Sequence, residues 1–208
     1  MKFDELLRQV PEDGVFRVGQ LLAASRGVDD IRRQLDRWVK AGRVLRLRRG
    51  VYMLAAPYAR QSAHPFRIAN ALKRASYVSL QSALSHYGMI PEYVPVVTSV
   101  TTRRPETVET ALGRFQYRHV KPCLLNGFSD MEIAPGQSAL LASPEKALID
   151  LLYLTPRSDD SAFLDELRVM PPAGGGHALK RVAERLGSAK VIRAVKRLEA
   201  IWQEGADT

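Results

Sequence analysis

Hydrophobic positions divide the chain into an orderly series of short elements. In "KFDELLRQV", Phe3, Leu6, Leu7 and Val10 recur at helical spacing until Pro11 ends the run. "FRVGQLLAAS" predicts a second short helix through Leu21, Leu22 and Ala23, and "RGV" (Arg26 to Val28) a tight turn. "DDIRRQLDRWVKAG" predicts a third helix, with Asp29 as N-cap, Asp29 and Asp30 at the positive end of its dipole, and Gly42 as the terminating glycine. Val44, Leu45 and Leu47 then lead into Arg48-Arg49-Gly50, and Val51, Tyr52 and Leu54 lead out, which predicts a hairpin with glycine at its tip. Helix, helix, turn, helix, hairpin is the order of a winged helix-turn-helix.

The pattern changes beyond Pro57. "HPFRIANALKRA" and "SLQSALSHYG" predict helices, while "VPVVTSVTT", "GRFQYRHV" and "MEIA" predict strands. "SPEKALIDLLYL" has a strong helix start, with Ser143 to cap, Pro144 in the first turn and Glu145 at the dipole. "PPAGGGH" (Pro171 to His177) reads as a flexible linker, and "ALKRVAERLGSAKVIRAVKRLEAIWQ" as helix broken near Gly187-Ser188. The expected class is α+β. A winged helix-turn-helix occupies residues 1–57, and a mixed α/β domain with a small sheet and a helical tail occupies 58–208.

Charge sharpens the picture. On the third helix, Ile31, Leu35, Trp38 and Val39 share one face, and Arg33, Asp36, Arg37 and Lys40 share the opposite one. Arg26, Arg32, Arg33, Arg37, Lys40, Arg43, Arg46, Arg48 and Arg49 face only three acids in that stretch, a net +6 out of +9 for the whole chain. An α-helix fits the major groove, where arginine bonds guanine bidentately, and lysine or arginine elsewhere holds phosphates. These nine residues are therefore the expected DNA contacts. Basic helical faces are also often merely solvated, and Trp38 and Tyr52 read as packing residues.

Other chemistries find little support. No Walker A, HExxH or GxSxG pattern occurs, His64, His86, His119 and His177 are scattered, and Cys123 stands alone. Asp130 and Glu132 share one strand face, a faint nuclease-like cue with no lysine at the expected spacing. Lys146 and Asp150 read as an i,i+4 ion pair. The expectation is no enzyme, cofactor or metal. No apolar run approaches the ~20 residues of a membrane span. The acidic start "MKFDELLRQVPEDG" is unlike a signal peptide, so the cytoplasm is expected. The tail carries Lys180, Arg181, Arg185, Lys190, Arg193, Lys196 and Arg197, read first as a packed, solvated helix and second as an auxiliary nucleic-acid surface.

The segment "IRRQLDRWVKAGRVLRLRRGVYML" resembles the N-terminal winged helix of the AbiEi-type antitoxins, through Leu35, Trp38, Gly42, Leu47, Arg49, Gly50, Val51, Tyr52 and Leu54. "YVSLQSALSHYGMIPE" (Tyr77 to Glu92) and "SPEKALIDLLYL" (Ser143 to Leu154) are similar to two segments of that family's second domain. The resemblance implies a regulator of a type IV toxin–antitoxin, abortive-infection system. It would bind double-stranded operator DNA at inverted repeats to repress its own operon. It would counter a nucleotidyltransferase-like toxin without a stable complex. The winged domain would bind DNA and the second domain would supply antitoxicity. The oligomeric state stays open, a monomer binding cooperatively being one arrangement. The alternative is a plain winged-helix regulator whose C-terminal domain senses a ligand or dimerises.

Overall fold

The computed structural model describes residues 1–21 and 28–206. The chain divides into two compact units. The first comprises residues 1–74 with 109–112 and 132–138, and the second comprises 75–108, 113–131 and 139–208.

The N-terminal unit contains α1 (Phe3–Gln9), β1 (Val15–Arg17), α2 (Val18–Leu21), α3 (Val28–Lys40), β2 (Val44–Arg48), β3 (Val51–Leu54) and α4 (Pro65–Leu72). Its three strands lie in the order β1-β3-β2, all antiparallel. Leu6, Phe16, Leu21, Ile31, Leu35, Trp38, Val44 and Tyr52 form one core under the helices. The predicted hairpin is present, with Val44 opposite Leu54, Arg48 opposite Val51, and a bulge between Arg46 and Arg48 that lets Leu47 be buried.

The stretch read as a second helix from Phe16 instead begins as strand β1. Val15 pairs with Met53 and Phe16 with Tyr52, so a partner distant in sequence overrides a local spacing that also suits a helix. Gly14, at φ +74°, makes the turn into that strand, and its carbonyl accepts from Leu54 N. The end of the predicted second helix (22–25) and the predicted turn at Arg26–Gly27 lie outside the described residues. Val28 is already helical, so Asp29 sits inside the first turn of α3 and not ahead of it.

The remaining elements, which lie in the second unit apart from the ends of β6 and β8 and the start of β9, are β4 (Ser76–Val78), α5 (Leu80–His86), β5 (Val96–Thr101), β6 (Glu106–Thr110), β7 (Gly113–His119), β8 (Phe128–Ala134), β9 (Gln137–Ala142), α6 (Pro144–Leu154), α7 (Ser161–Leu167), α8 (Gly175–Leu186) and α9 (Ala189–Ala206). The six-stranded sheet runs β6-β7-β5-β4-β9-β8. It is mixed: β4 is antiparallel to β5 and parallel to β9, and β5 is parallel to β7. Helix α6 is buried without a break from Lys146 to Leu152. Sequence reading missed β4, β6 and β9 and shortened β8; β4, three residues long, is completed by β5 and β9, which lie far from it in the chain and leave no local pattern. The glycine run is not a free linker. Gly175 opens α8, and a Cβ on Gly176 would lie 2.7 Å from Glu199 Oε1 on α9.

Candidate nucleic-acid interface

Helix α3 buries one side and exposes the other. Ile31, Leu35 and Trp38 are 1%, 0% and 8% exposed. Phe3 of α1 meets the Trp38 ring edge-on at 5.3 Å, which fixes the rotation of α3 about its axis. Gly42, at φ +68°, ends the helix, with Arg43 N donating to Trp38 O (2.9 Å) and Gly42 N to Val39 O (3.0 Å). These two bonds are the Schellman closure, and they set the path from α3 into β2.

The solvent side carries the predicted cations. Arg37 and Lys40 are exposed and make no hydrogen bond or ion pair among the described residues. Arg33 Nη2 lies 2.6 Å from Asp30 Oδ1, and Arg32 Nη1 lies 3.4 Å from Asp29 Oδ1. Both pairs link a residue to its neighbour one turn back. With 72% of the Arg33 side chain exposed, such a pair is worth about 0–1 kcal/mol and exchanges readily for a phosphate or a base edge. These two arginines are thus held by local acids but not buried.

The hairpin separates its arginines by role. Arg46 and Arg49 are exposed and, among the described residues, make no hydrogen bond or ion pair. Arg48 is half-buried, and its Nη1 donates to Leu72 O at the end of α4 (3.0 Å), so it braces the wing from behind. Arg43 lies over the Phe3 ring at 5.2 Å, a cation–π contact that leaves it exposed beside α3. Arg26 lies outside the described residues. The structure therefore brings Arg33, Arg37 and Lys40 together on one helix face, sets Arg46 and Arg49 on the exposed hairpin, and gives Arg48 an internal contact.

The second unit has a buried polar centre that sequence reading recognised only in part. Lys146 Nζ bonds Asp150 Oδ1, as the spacing implied, but both side chains are buried and not at a helix surface. Asp150 Oδ2 also accepts from Tyr77 OH (2.9 Å) and Ser79 Oγ (2.8 Å). Burial pushes the Asp150 carboxyl above the usual carboxylate range, against the pull of Lys146, Ser79 and Tyr77. Burial, with Asp150 adding to it, likewise raises Tyr77. Tyr77 and Ser79 were silent in the sequence because nothing local marks a serine or tyrosine as facing a helix seventy residues away.

The nuclease-like cue gains nothing. Glu132 Oε1 accepts from Gly136 N at 3.1 Å, and among the described residues no three His, Cys, Asp or Glu gather as a metal site. His86 sits at the end of α5 against the Tyr87 ring. On α9, Lys190 donates to Tyr153 O and Thr155 O, while Arg193 and Arg197 bond Asp159, so part of the tail's charge is spent on packing. Among the described residues no helix is long and apolar enough to cross a membrane.

Comparison with solved structures finds the Rv2827c protein from Mycobacterium tuberculosis, at a TM-score of 0.50 and 15% identity, over 95% of this chain and 74% of that one. At that identity the likeness concerns the fold alone. No curated protein matches the chain. A sequence model of the family described as "Transcriptional regulator, AbiEi antitoxin" matches residues 4–55, the stretch that builds α1 through β3. Over its N-terminal winged helix, residues 4–55, the chain is thus similar to the AbiEi antitoxin family of transcriptional regulators.

Proposed function

We propose that this chain is a cytoplasmic, DNA-binding antitoxin of a type IV toxin–antitoxin system, with no catalytic activity of its own. It represses its own operon at promoter inverted repeats and counters a nucleotidyltransferase-like toxin without a stable complex. The observation that supports it most is the face of α3. Arg33, Arg37 and Lys40 project to solvent while Ile31, Leu35 and Trp38 anchor the opposite side. In this reading α3 enters the major groove, Arg33 and Arg37 meet base edges, and Lys40 with Arg32 and Arg43 meets phosphates. Arg46 and Arg49 on the hairpin meet the flanking backbone. The second unit supplies antitoxicity.

The test separates the two activities. Arg33→Ala with Arg37→Ala should abolish operator binding at fixed salt, measured by fluorescence anisotropy, with an unchanged circular dichroism spectrum. Co-expressed with its toxin, the same variant should still restore growth. Full operator affinity in the double variant would refute the assignment of α3.

One observation favours a second reading, a winged-helix regulator that senses a ligand. A cavity of about 510 Å3 in the second unit is lined by Ile90, Val94, Val96 and Phe163 with Gln81 and Gln116 among them. That mixture of apolar walls and a few polar groups suits a small molecule. Operator affinity that changes with a metabolite extract, and stays changed in no toxin's presence, would favour it.

A further inference from the structure

Behind the hairpin tip, within the N-terminal unit, lies a cavity of about 280 Å3. Arg17, Arg48, Arg49 and Arg74 line it together with Gly19 and Gly50, and among the described residues no carboxylate does. Two of these arginines are fixed from below. Arg17 Nε donates to Ala71 O and its Nη2 to Asn70 O (both 2.9 Å), and Arg48 Nη1 donates to Leu72 O (3.0 Å). Carbonyls in the last turn of a helix have no partner within the helix, and the helix dipole is negative there, so the guanidinium groups are held by both effects. The other two are at the rim. Arg49 and Arg74 are exposed and make no hydrogen bond or ion pair among the described residues. Arg74 Nη2 lies 4.0 Å from the position a Cβ on Gly19 would take, so the guanidinium reaches over the start of α2.

Arg49 and Arg74 bring two like charges to the rim of this hollow, and these repel one another unless an anion joins them. The volume is just under the ~300–1,000 Å3 of small-molecule pockets, yet it admits a single phosphate group. Guanidinium donors match phosphate oxygens in geometry as well as charge. We propose that this cavity is a phosphate clamp: Arg49 and Arg74 grip one phosphodiester of the DNA backbone, over a floor set by Arg17 and Arg48. This rests on the DNA-binding reading. It adds Arg74, which lies beyond the residues matched by the family, and it assigns Arg17 and Arg48 as positioning residues.

The experiment is anisotropy of promoter and scrambled duplexes against salt concentration, with the full chain. Arg74→Ala should weaken both duplexes by the same factor and make the log–log salt slope shallower by about 0.9, one phosphate contact. Arg74→Lys should recover most of the affinity. Gly19→Glu, which puts a carboxylate under the rim without removing any contact, should lower affinity as Arg74→Ala does, while Gly19→Ala should not. Thermal melts of each variant serve as the fold control. If wild type binds the promoter while Arg74→Ala and Gly19→Glu keep its affinity and slope, the clamp is wrong and the DNA-binding reading stands. If wild type binds no duplex, both fall. Calorimetry with inorganic phosphate separates the sources. Micromolar phosphate binding, with duplex affinity indifferent to Arg74→Ala, would make this a site for a free anion and overturn the backbone assignment.

Discussion

Arg48 and Arg49 are neighbours in the chain, yet one braces a helix end and the other faces solvent. Strand alternation and the adjacent turn send the two side chains to different environments. The same divergence separates Lys146 from the surface lysines. Its Asp150 partner has lost its water and accepts from Tyr77 and Ser79, so the pair is a matched unit. Lys146→Met alone leaves an unpaired buried carboxylate and should cost about 3–5 kcal/mol in urea unfolding. Lys146→Met with Asp150→Asn should regain most of that loss, since the amide oxygen still accepts from Tyr77 and Ser79. Gly127 packs against the same lysine. Its φ is +72°, and an added Cβ would stand 3.0 Å from Lys146 Cγ, so both conformation and space require glycine there.

Whole elements depend on their ends. Helix α6 starts where Ser143 Oγ accepts from Lys146 N at 3.2 Å, with Pro144 in the first turn. Ser143→Ala should lower stability by about 1 kcal/mol, and Ser143→Gly by only a few tenths, read from denaturation midpoints. An unchanged midpoint in Ser143→Ala would show that the cap bond contributes nothing. At its other end α6 is closed by a long-range group, Lys190 of α9, which donates to Tyr153 O and Thr155 O. Helix α3 closes itself through Gly42, and that ending was legible in the sequence because a glycine followed the last apolar position of a strongly patterned helix. Strand β1 was not legible, since three residues define no period and its pairing comes from β3.

For the whole molecule, the proposed DNA association should weaken steeply as salt rises, given the net charge of +9, and acid stability should depend on the carboxylates that arginines hold. Hydrogen bonds from Arg168 hold Glu92 below its ordinary value, and those from Arg193 hold Asp159 below its own. A depressed folded value means the contribution is present above the unfolded value, about 4, and is lost as pH falls through the folded one. Arg193→Ala should therefore make the loss of stability below about pH 4 shallower, as followed by urea midpoints. Asp150 has the opposite sign. Burial raises its folded value, so its contribution is present at low pH and is lost as pH rises through that value. Asp150→Asn should remove this opposing dependence.

The sequence by itself determined the amphipathic α3, its glycine stop, the basic hairpin and the N-terminal family resemblance, because each rests on periodicity or on residues close together in the chain. It also placed Arg33, Arg37 and Lys40 on one face, which follows from helical geometry once Ile31, Leu35 and Trp38 are buried. Only the tertiary structure decided that Arg48 turns to α4 while Arg49 does not. It alone brought Arg17, Arg49 and Arg74 around one hollow, and Tyr77 and Ser79 onto Asp150. These groups are dozens of residues apart, and their meeting depends on sheet order and helix packing. Neither leaves a period in the chain.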